Sequence, residues 1–234
     1  MNPLDGVFRE AWELWKGHWR HFATIALVVY VVVALIGILL VASLGLLGAL
    51  LALLVTLAGA FWLQGTLIEA VRDVRDGRAD LSVKATFERV LPRLNRIALA
   101  GIVLAVAIGL GFILFVVPGL FLMTIWLMVI PAIVLEDRGL GEAFDRSREL
   151  VRGNGWNLFL VIILTFILII GVSLALRILL SPLEDWIAGL IADLLGNTIV
   201  APFAVVVWTL SYYRLRAREQ LTEAPAAAAG EFRA

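Results

Sequence analysis

Long apolar runs alternate with short charged segments along this sequence, and the alternation restricts the fold more than any other feature. Between Pro118 and Trp156, an apolar run ends at the charged segment 136–139, a helix of mixed charge follows, and Gly153 lies where that helix stops. Apolar runs of about 20 residues are long enough to cross a bilayer as helices. The pattern therefore predicts membrane spans separated by charged surface helices.

The composition supports a polytopic membrane protein. Hydrophobic residues make up 62% of the 234 residues and charged residues 16%, whereas soluble domains have roughly 45 to 50% apolar residues. The sequence has no cysteine, which excludes disulfides and thiolate metal sites. The formal net charge is zero, so the total charge does not predict a nucleic acid partner.

We predict an all-α fold with six transmembrane helices. Their approximate bounds are 22–45, 47–70, 97–117, 120–135, 156–180 and 197–213. Amphipathic patterns predict surface helices over 3–20, 82–94, 141–152 and 183–195. Residues 1–218 are expected to form one membrane domain, and residues 219–234 a disordered tail.

Prolines and caps predict where several helices begin, bend or end. Ser82 is expected to cap the second surface helix, and Pro92 to end or kink it. Pro118 and Gly119 predict a tight reversal between the third and fourth spans. Pro131 removes one hydrogen bond from the fourth span, which predicts a bend that serves either as a hinge or only as a kink.

The distribution of basic residues predicts the orientation of the chain. Arg177 alone among the 19 lysines and arginines lies on the side opposite to the termini. By the positive-inside rule, both termini are predicted to be cytoplasmic, in a cell (inner) membrane. The alanine-, leucine- and arginine-rich usage suggests a bacterial source.

The first three surface helices resemble one another, which predicts a threefold repeat of surface helix, span, turn and span. Phe8, Phe87 and Phe144 are the equivalent positions. All units have the same orientation, so the repeats would be related by an axis along the membrane normal. The three helices would then form a cytoplasmic collar around six spans.

The chain resembles the glycerophosphoryl diester phosphodiesterase membrane-domain family and the related YciC-like bacterial membrane proteins. The resemblance is specific over residues 115–160. It rests on Pro118, Gly119, Pro131, Glu136, Ala143, Ser147, Leu150 and Gly153. Some members carry a soluble phosphodiesterase domain, for which this chain has no room, so the resemblance implies a fold and a location but no activity.

No catalytic, cofactor-binding or metal-binding pattern appears in the sequence. Glu136 and Asp137 are adjacent, so their side chains should diverge on a helix, and we interpret them as a cytoplasmic stop signal. On the opposite side, Arg177 is expected to snorkel or to pair with an acid of the outer surface helix. The candidate acids are Glu184, Asp185 and Asp193.

Basic and aromatic side chains of the surface helices are candidates for contacts with anionic lipid headgroups. They are Trp15, Trp19, Arg146, Arg148 and Arg152. The predicted partners are the lipid bilayer and a protein that binds the cytoplasmic face.

Three classes of function remain open from the sequence. The first is a non-enzymatic membrane scaffold, assembly or regulatory factor, which fits the charged collar. The second is a lipid-handling protein or small-molecule transporter, which needs a polar path that few side chains in the spans offer. The third, an enzyme acting on lipid headgroups, would need converging acid, base or metal groups, and the sequence shows none.

Overall fold

The computed structural model describes residues 3–77, 82–182, 184, 189, 191–192 and 194–231. Over these residues, all regular structure is helical. Five helical segments are long and apolar enough to cross a membrane, which fits an all-α, multi-pass membrane protein. They are Val7–Arg75, Val83–Leu114, Val116–Glu136, Gly155–Leu179 and Gly196–Leu221.

The first helix, α1 (Val7–Arg75), is folded back on itself at Gly45. Gly45 has a φ of 55° and a ψ of −125°, a backbone conformation that side chains disfavour. Beyond it the chain runs antiparallel, since a Cβ on Gly37 would lie 3.7 Å from the Cβ of Ala52. A second interruption at His18 separates the charged first turns from the apolar arm. The reversal at Gly45 lies where the predicted spans 22–45 and 47–70 meet.

The second hairpin is formed by α2, α3 and α4, and its first break lies where the sequence predicts it. Ser82 Oγ accepts from the Ala85 amide and caps α2 (Val83–Val90). A 3-10 turn at Leu91–Arg93, which contains Pro92, then leads into α3 (Leu94–Leu114). The predicted cap and the predicted break at Pro92 are both confirmed.

The reversal between α3 and α4 (Val116–Trp126) lies earlier than predicted. Phe115 is the extended residue, with φ −162° and ψ 155°, and Pro118 and Gly119 belong to the first turns of α4. Proline is tolerated in a first helical turn because its missing amide has no helical partner there. Gly119 instead permits close packing, since its backbone lies 3.0 Å from the position that a Cβ on Gly111 would occupy.

The fourth predicted span is broken close to Pro131. Helix α4 ends at Trp126, and α5 (Val129–Glu136) begins after Leu127 and Met128. The weak point predicted near Pro131 is a two-residue break between α4 and α5. Helix α6 (Leu140–Val151) follows, and Gly153, with a φ of 76°, lies between it and α7 (Gly155–Leu179).

The last helix is longer and more deeply buried than the predicted sixth span. A π-helical turn at Gly196–Val200 leads into α8 (Ala201–Glu231). In its most apolar 18-residue stretch, two thirds of the residues are buried, whereas less than half are buried in the same stretch of each other candidate span. Helix α8 is therefore central. It continues beyond the predicted membrane domain of residues 1–218 and ends at Glu231.

The tightly packed core lies at the end of the bundle that carries the charged connections. Phe22, Leu67, Ile97, Leu158 and Leu210 are all fully buried there. The hairpin tips at the other end expose apolar side chains to their surroundings, as at Leu46 (81% exposed) and Ile113 (81%). The charged helices therefore pack beside the most deeply buried side chains of the fold.

We predict that Gly119→Ala destabilises the protein and that Gly109→Ala does not. A Cβ on Gly119 would lie 2.5 Å from Cγ of Phe112, whereas a Cβ on Gly109 meets nothing within 4 Å. Both changes gain helix propensity, so the difference of about 1–3 kcal/mol reports the overpacking alone. Thermal unfolding in detergent measures it, and equal melting temperatures would contradict the close packing of α3 and α4.

Candidate functional site

Three charged helical segments lie against the bundle, and each is tied to another helix by an ion pair. In the first turns of α1, Glu10 Oε2 lies 2.6 Å from Nη2 of Arg214 on α8. In α2, Nη1 of Arg89 lies 3.5 Å from Oε1 of Glu69, near the end of α1. We call these two pairs, and the pair in α6 described next, the anchoring ion pairs.

The third anchoring pair joins Arg146 of α6 to Glu136, the last residue of α5. Nε of Arg146 lies 3.0 Å from Oε2 of Glu136, and only 7% of the Glu136 side chain is exposed. The Tyr212 hydroxyl donates to Glu136 Oε1 at 2.5 Å. Because a nearly buried carboxylate is costly without partners, these contacts make Glu136 the centre of an ionic network.

The network extends to the loop after α5 and to α8. Arg138 and Arg216 approach Glu136 at 3.2 and 3.6 Å. Arg146 also forms a bidentate pair with Glu219 of α8, with its Nη2 2.5 Å from Oε2. The hydrogen bonds to Glu219 raise the pKa of Arg146 above its ordinary value, against the effect of burial. The guanidinium therefore stays charged and holds α5, α6 and α8 together.

Asp137 turns away from Glu136 and fixes a different part of the chain. Its backbone is left-handed, with a φ of 56°. Its Oδ1 accepts from Nη2 of Arg96 at 2.6 Å and from Nε of Arg93 at 2.9 Å, and these bonds lower the pKa of the Asp137 carboxyl. As the sequence predicts, the two adjacent carboxylates do not converge on one site.

Ser147 supports the interruption between α4 and α5. Its hydroxyl donates to the carbonyl of Ile125 at 2.7 Å and accepts from the amide of Met128 at 3.2 Å. Ser147 is fully buried, so both backbone groups are satisfied without water. The serine of α6 thereby replaces hydrogen bonds that the broken helix cannot make.

The other residues of the sequence motif have packing or turn roles. Ala143 and Leu150 are buried on the inner face of α6, and Gly153 ends that helix in a left-handed conformation. Glu142 Oε2 accepts from the amide of Gly139, which caps the start of α6. The motif residues from Glu136 to Gly153 therefore describe how α6 packs on the bundle.

The candidates for headgroup contacts differ in their surroundings. Arg146 is held by carboxylates, with 13% of its side chain exposed, which leaves it little access to lipid. Arg148 is 56% exposed, and Arg152 is exposed at the end of α6. Trp19 is 45% exposed, whereas Trp15 stacks on Trp12 and packs partly into the core.

The outer-face ion pair stays a prediction. Asp185 and Asp193 lie outside the described residues, as does most of the predicted surface helix 183–195. Arg177 lies in the last turn of α7. Glu184 is described, but residues 183 and 185 on either side of it are not.

Sequence reasoning missed several members of the network. Tyr212 and Glu219 act from α8, far along the chain, and no local pattern marks them. Glu10 and Arg89 had a usable signal, because each lies two residues after the equivalent phenylalanines Phe8 and Phe87, as Arg146 does after Phe144.

The chemistry available at this face is ionic and structural. Over the described residues, no group of three or more His, Cys, Asp or Glu side chains is arranged to hold a metal ion. The buried carboxylates Glu69 and Glu136 are each paired with arginines. The arrangement can hold helices in register and present charges on the outer side of α2 and α6.

Comparison with known families gives one match. A family model described as a domain of unknown function (DUF7847) matches residues 81–215, which is more than half of the chain. No curated protein and no solved structure gives a significant match.

We predict that Ser147→Ala lowers the free energy of unfolding by about 1–3 kcal/mol, because it leaves two buried backbone groups without partners. Ser211→Ala is the matched control. Ser211 is also fully buried, but its hydroxyl donates only to Val207, a carbonyl of its own helix. Thermal or denaturant unfolding of both variants makes the comparison, and similar losses would contradict the bridging role of Ser147.

We predict that Asp137→Asn destabilises the protein above about pH 4 and that Asp137→Ala destabilises it further. Asparagine removes the charge but tolerates a left-handed backbone, whereas alanine does not. Because the Arg96 and Arg93 bonds lower the pKa of Asp137 from 3.8, its stabilisation is complete above that value and is lost as the pH falls through the folded pKa.

Melting temperatures of wild type and Asp137→Asn, measured between pH 7 and pH 3, test this effect. The difference should shrink at the acid end, and a constant difference would exclude a charge effect.

Proposed function

The chain belongs to the family of unknown function DUF7847, and we propose that it is a non-enzymatic scaffold, assembly or regulatory factor of the inner membrane. The proposal rests on one observation: three charged helical segments are fixed to the bundle by the anchoring ion pairs. The fixed helices present a charged surface on which a cytoplasmic protein can dock.

The proposed topology has six spans with both termini in the cytoplasm. A straight helix of 69 residues would be about 100 Å long, whereas the hydrocarbon core of a bilayer is about 30 Å thick. The reversal at Gly45 supports two crossings by α1. The remaining candidate spans supply four more, and the basic residues of α2, α6 and α8 then lie together on the cytoplasmic side.

The proposed threefold repeat is supported by the anchoring ion pairs. Each pair uses the residue two positions after the equivalent phenylalanine, and each joins its segment to another helix of the bundle. The residues one position before and three positions after that phenylalanine are buried in every case. These are Val7, Ala11, Thr86, Val90, Ala143 and Ser147. The first pair differs only in polarity, because the surface segment supplies the acid.

The outer faces of α2 and α6 favour a docking role. Lys84 and Glu88 on α2 are 85% and 59% exposed, and Asp145 and Arg148 on α6 are 72% and 56% exposed. Exposed ion pairs of this kind contribute little to stability. Their charges are therefore available to a partner at small cost to the fold.

A lipid-handling or transport function is the second candidate. An apolar cavity of about 500 Å³ lies between the first turns of α1 and the helices α7 and α8, lined by Trp12, Trp15 and Phe203. It could hold an acyl chain or another apolar molecule. A headgroup enzyme ranks third, and kinship to the glycerophosphoryl diester phosphodiesterase membrane-domain family remains a proposal based on the motif.

The docking proposal predicts that a surface variant loses its partner without losing its fold. The variant combines Lys84→Ala, Glu88→Ala, Asp145→Ala and Arg148→Ala and leaves the anchoring ion pairs intact. Affinity purification of wild type and variant from native membranes, followed by quantitative mass spectrometry, makes the comparison. A stoichiometric partner present only with wild type is expected, and unchanged composition would contradict docking on these faces.

The repeat predicts that the first anchoring pair can be inverted to match the other two. Glu10→Arg alone places two cations together and should cost about 1 kcal/mol, since the pair is partly exposed. Adding Arg214→Glu should restore stability, because it reproduces the polarity of Arg89 with Glu69. Melting temperatures of the single and double variants test this, and failure of the double variant to recover would count against equivalent positions.

A further inference from the structure

A polar cavity lies between the end of α6 and α8, apart from the apolar spaces among the spans. Its volume is about 310 Å³, and its polar lining comes from Glu149, Arg152, Asn154, Arg218 and Glu219. Two of these side chains are guanidinium groups, and Asn154 is 7% exposed. The lining is therefore suited to a small polar group.

The two acids that line the cavity already have a cation. Glu219 forms the bidentate pair with Arg146, and Glu149 Oε2 lies 3.6 Å from Nη1 of the same arginine. Arg146 thus offsets much of the negative charge at this position. The charge that remains for a ligand comes from Arg152.

Arg152 is the uncommitted cation of this cavity. Over the described part of the chain, its guanidinium forms no hydrogen bond or ion pair, and the side chain is exposed. Arg218 is held in place, because its Nη1 donates to Oδ1 of Asn154. One guanidinium is therefore fixed and the other is free to close on a ligand.

The surrounding charge favours an anion. Arg138, Arg146 and Arg216 add to the two lining arginines, and the carboxylates among them are Glu136, Glu149 and Glu219. Among the described residues, Arg138, Arg146 and Arg216 balance these three carboxylates, so the unpaired Arg152 leaves a positive charge at the cavity. Guanidinium groups bind phosphate with paired hydrogen bonds, so a phosphate group matches both the charge and the donors.

The position of the cavity favours a phosphate that belongs to a lipid. Asn154 immediately precedes α7, a candidate membrane span. Trp156 in the first turn of α7 is 71% exposed and stacks on Phe159. Exposed indoles at the ends of spans are typical of the headgroup layer.

We propose that Arg152 and Arg218 bind the phosphate group of an anionic lipid headgroup in this cavity. Arg218, positioned by Asn154, supplies a fixed donor, and Arg152 closes over the phosphate from the end of α6. The site is independent of any protein partner on the outer faces of α2 and α6.

The test compares wild type with Arg152→Gln in detergent by native mass spectrometry, with phosphatidic acid or phosphatidylglycerol added and phosphatidylcholine as the neutral lipid. Arg148→Gln is the matched control, because Arg148 is an exposed arginine of the same helix that pairs with Asp145 outside the cavity. Arg152 has no side-chain partner among the described residues, so its loss should leave the melting temperature unchanged.

We expect Arg152→Gln to bind the anionic lipids about tenfold more weakly than wild type, as for loss of one charged hydrogen bond. Arg148→Gln and the neutral lipid should show no such difference. Equal binding by wild type and Arg152→Gln, or an equal loss in Arg148→Gln, would overturn the site.

A further titration distinguishes the phosphate of a lipid from that of a soluble compound. Inorganic phosphate is titrated into each variant without lipid, and binding is followed by isothermal calorimetry. Binding of inorganic phosphate that requires Arg152, with no retention of anionic lipid, would assign the cavity to a soluble phosphate compound and overturn the lipid part of the proposal.

Discussion

The pairing of charge at the edge of an apolar bundle is the constraint on which the rest of this structure depends. Glu136 ends an apolar helix with 7% of its side chain exposed. An unpaired carboxylate in such a place is costly, so the chain must bring cations to it. Arg146 arrives from α6 and Arg216 from α8, which fixes both helices relative to α5. The position of α6 therefore follows from the need to neutralise one acid.

The same need explains how α6 reaches the interior of the bundle. Its inner face carries small side chains, Ala143 and Ser147, which allow close approach to the broken helix. Ser147 then supplies the hydrogen bonds that the break at Leu127 and Met128 leaves unmade. Ionic contacts at one edge of α6 and neutral contacts at its centre act on the same pair of helices. A displacement of α6 would have to disturb both.

Local patterns in the sequence predicted most of the helices, because apolar length, caps and prolines act over a few residues. Ser82, Pro92 and Gly153 lie where the sequence places them, at helix ends. The reversal at Phe115 was displaced because the proline pattern does not distinguish a turn from a first helical turn. The ionic network was not predicted, since Glu219 and Arg146 are distant in sequence and Glu219 lies in a segment expected to be disordered.

The polarity of the first anchoring pair has a consequence for assembly. The helix bearing Glu10 is made first, yet its partner Arg214 lies on the last helix of the chain. In the place of Arg89, Glu10 would face the like charge of Glu69, the residue of α1 that pairs with Arg89. Conversely, Arg89 or Arg146 in the place of Glu10 would face the like charge of Arg214. The inverted polarity of this pair therefore disfavours an arrangement in which the first surface segment exchanges places with α2 or α6.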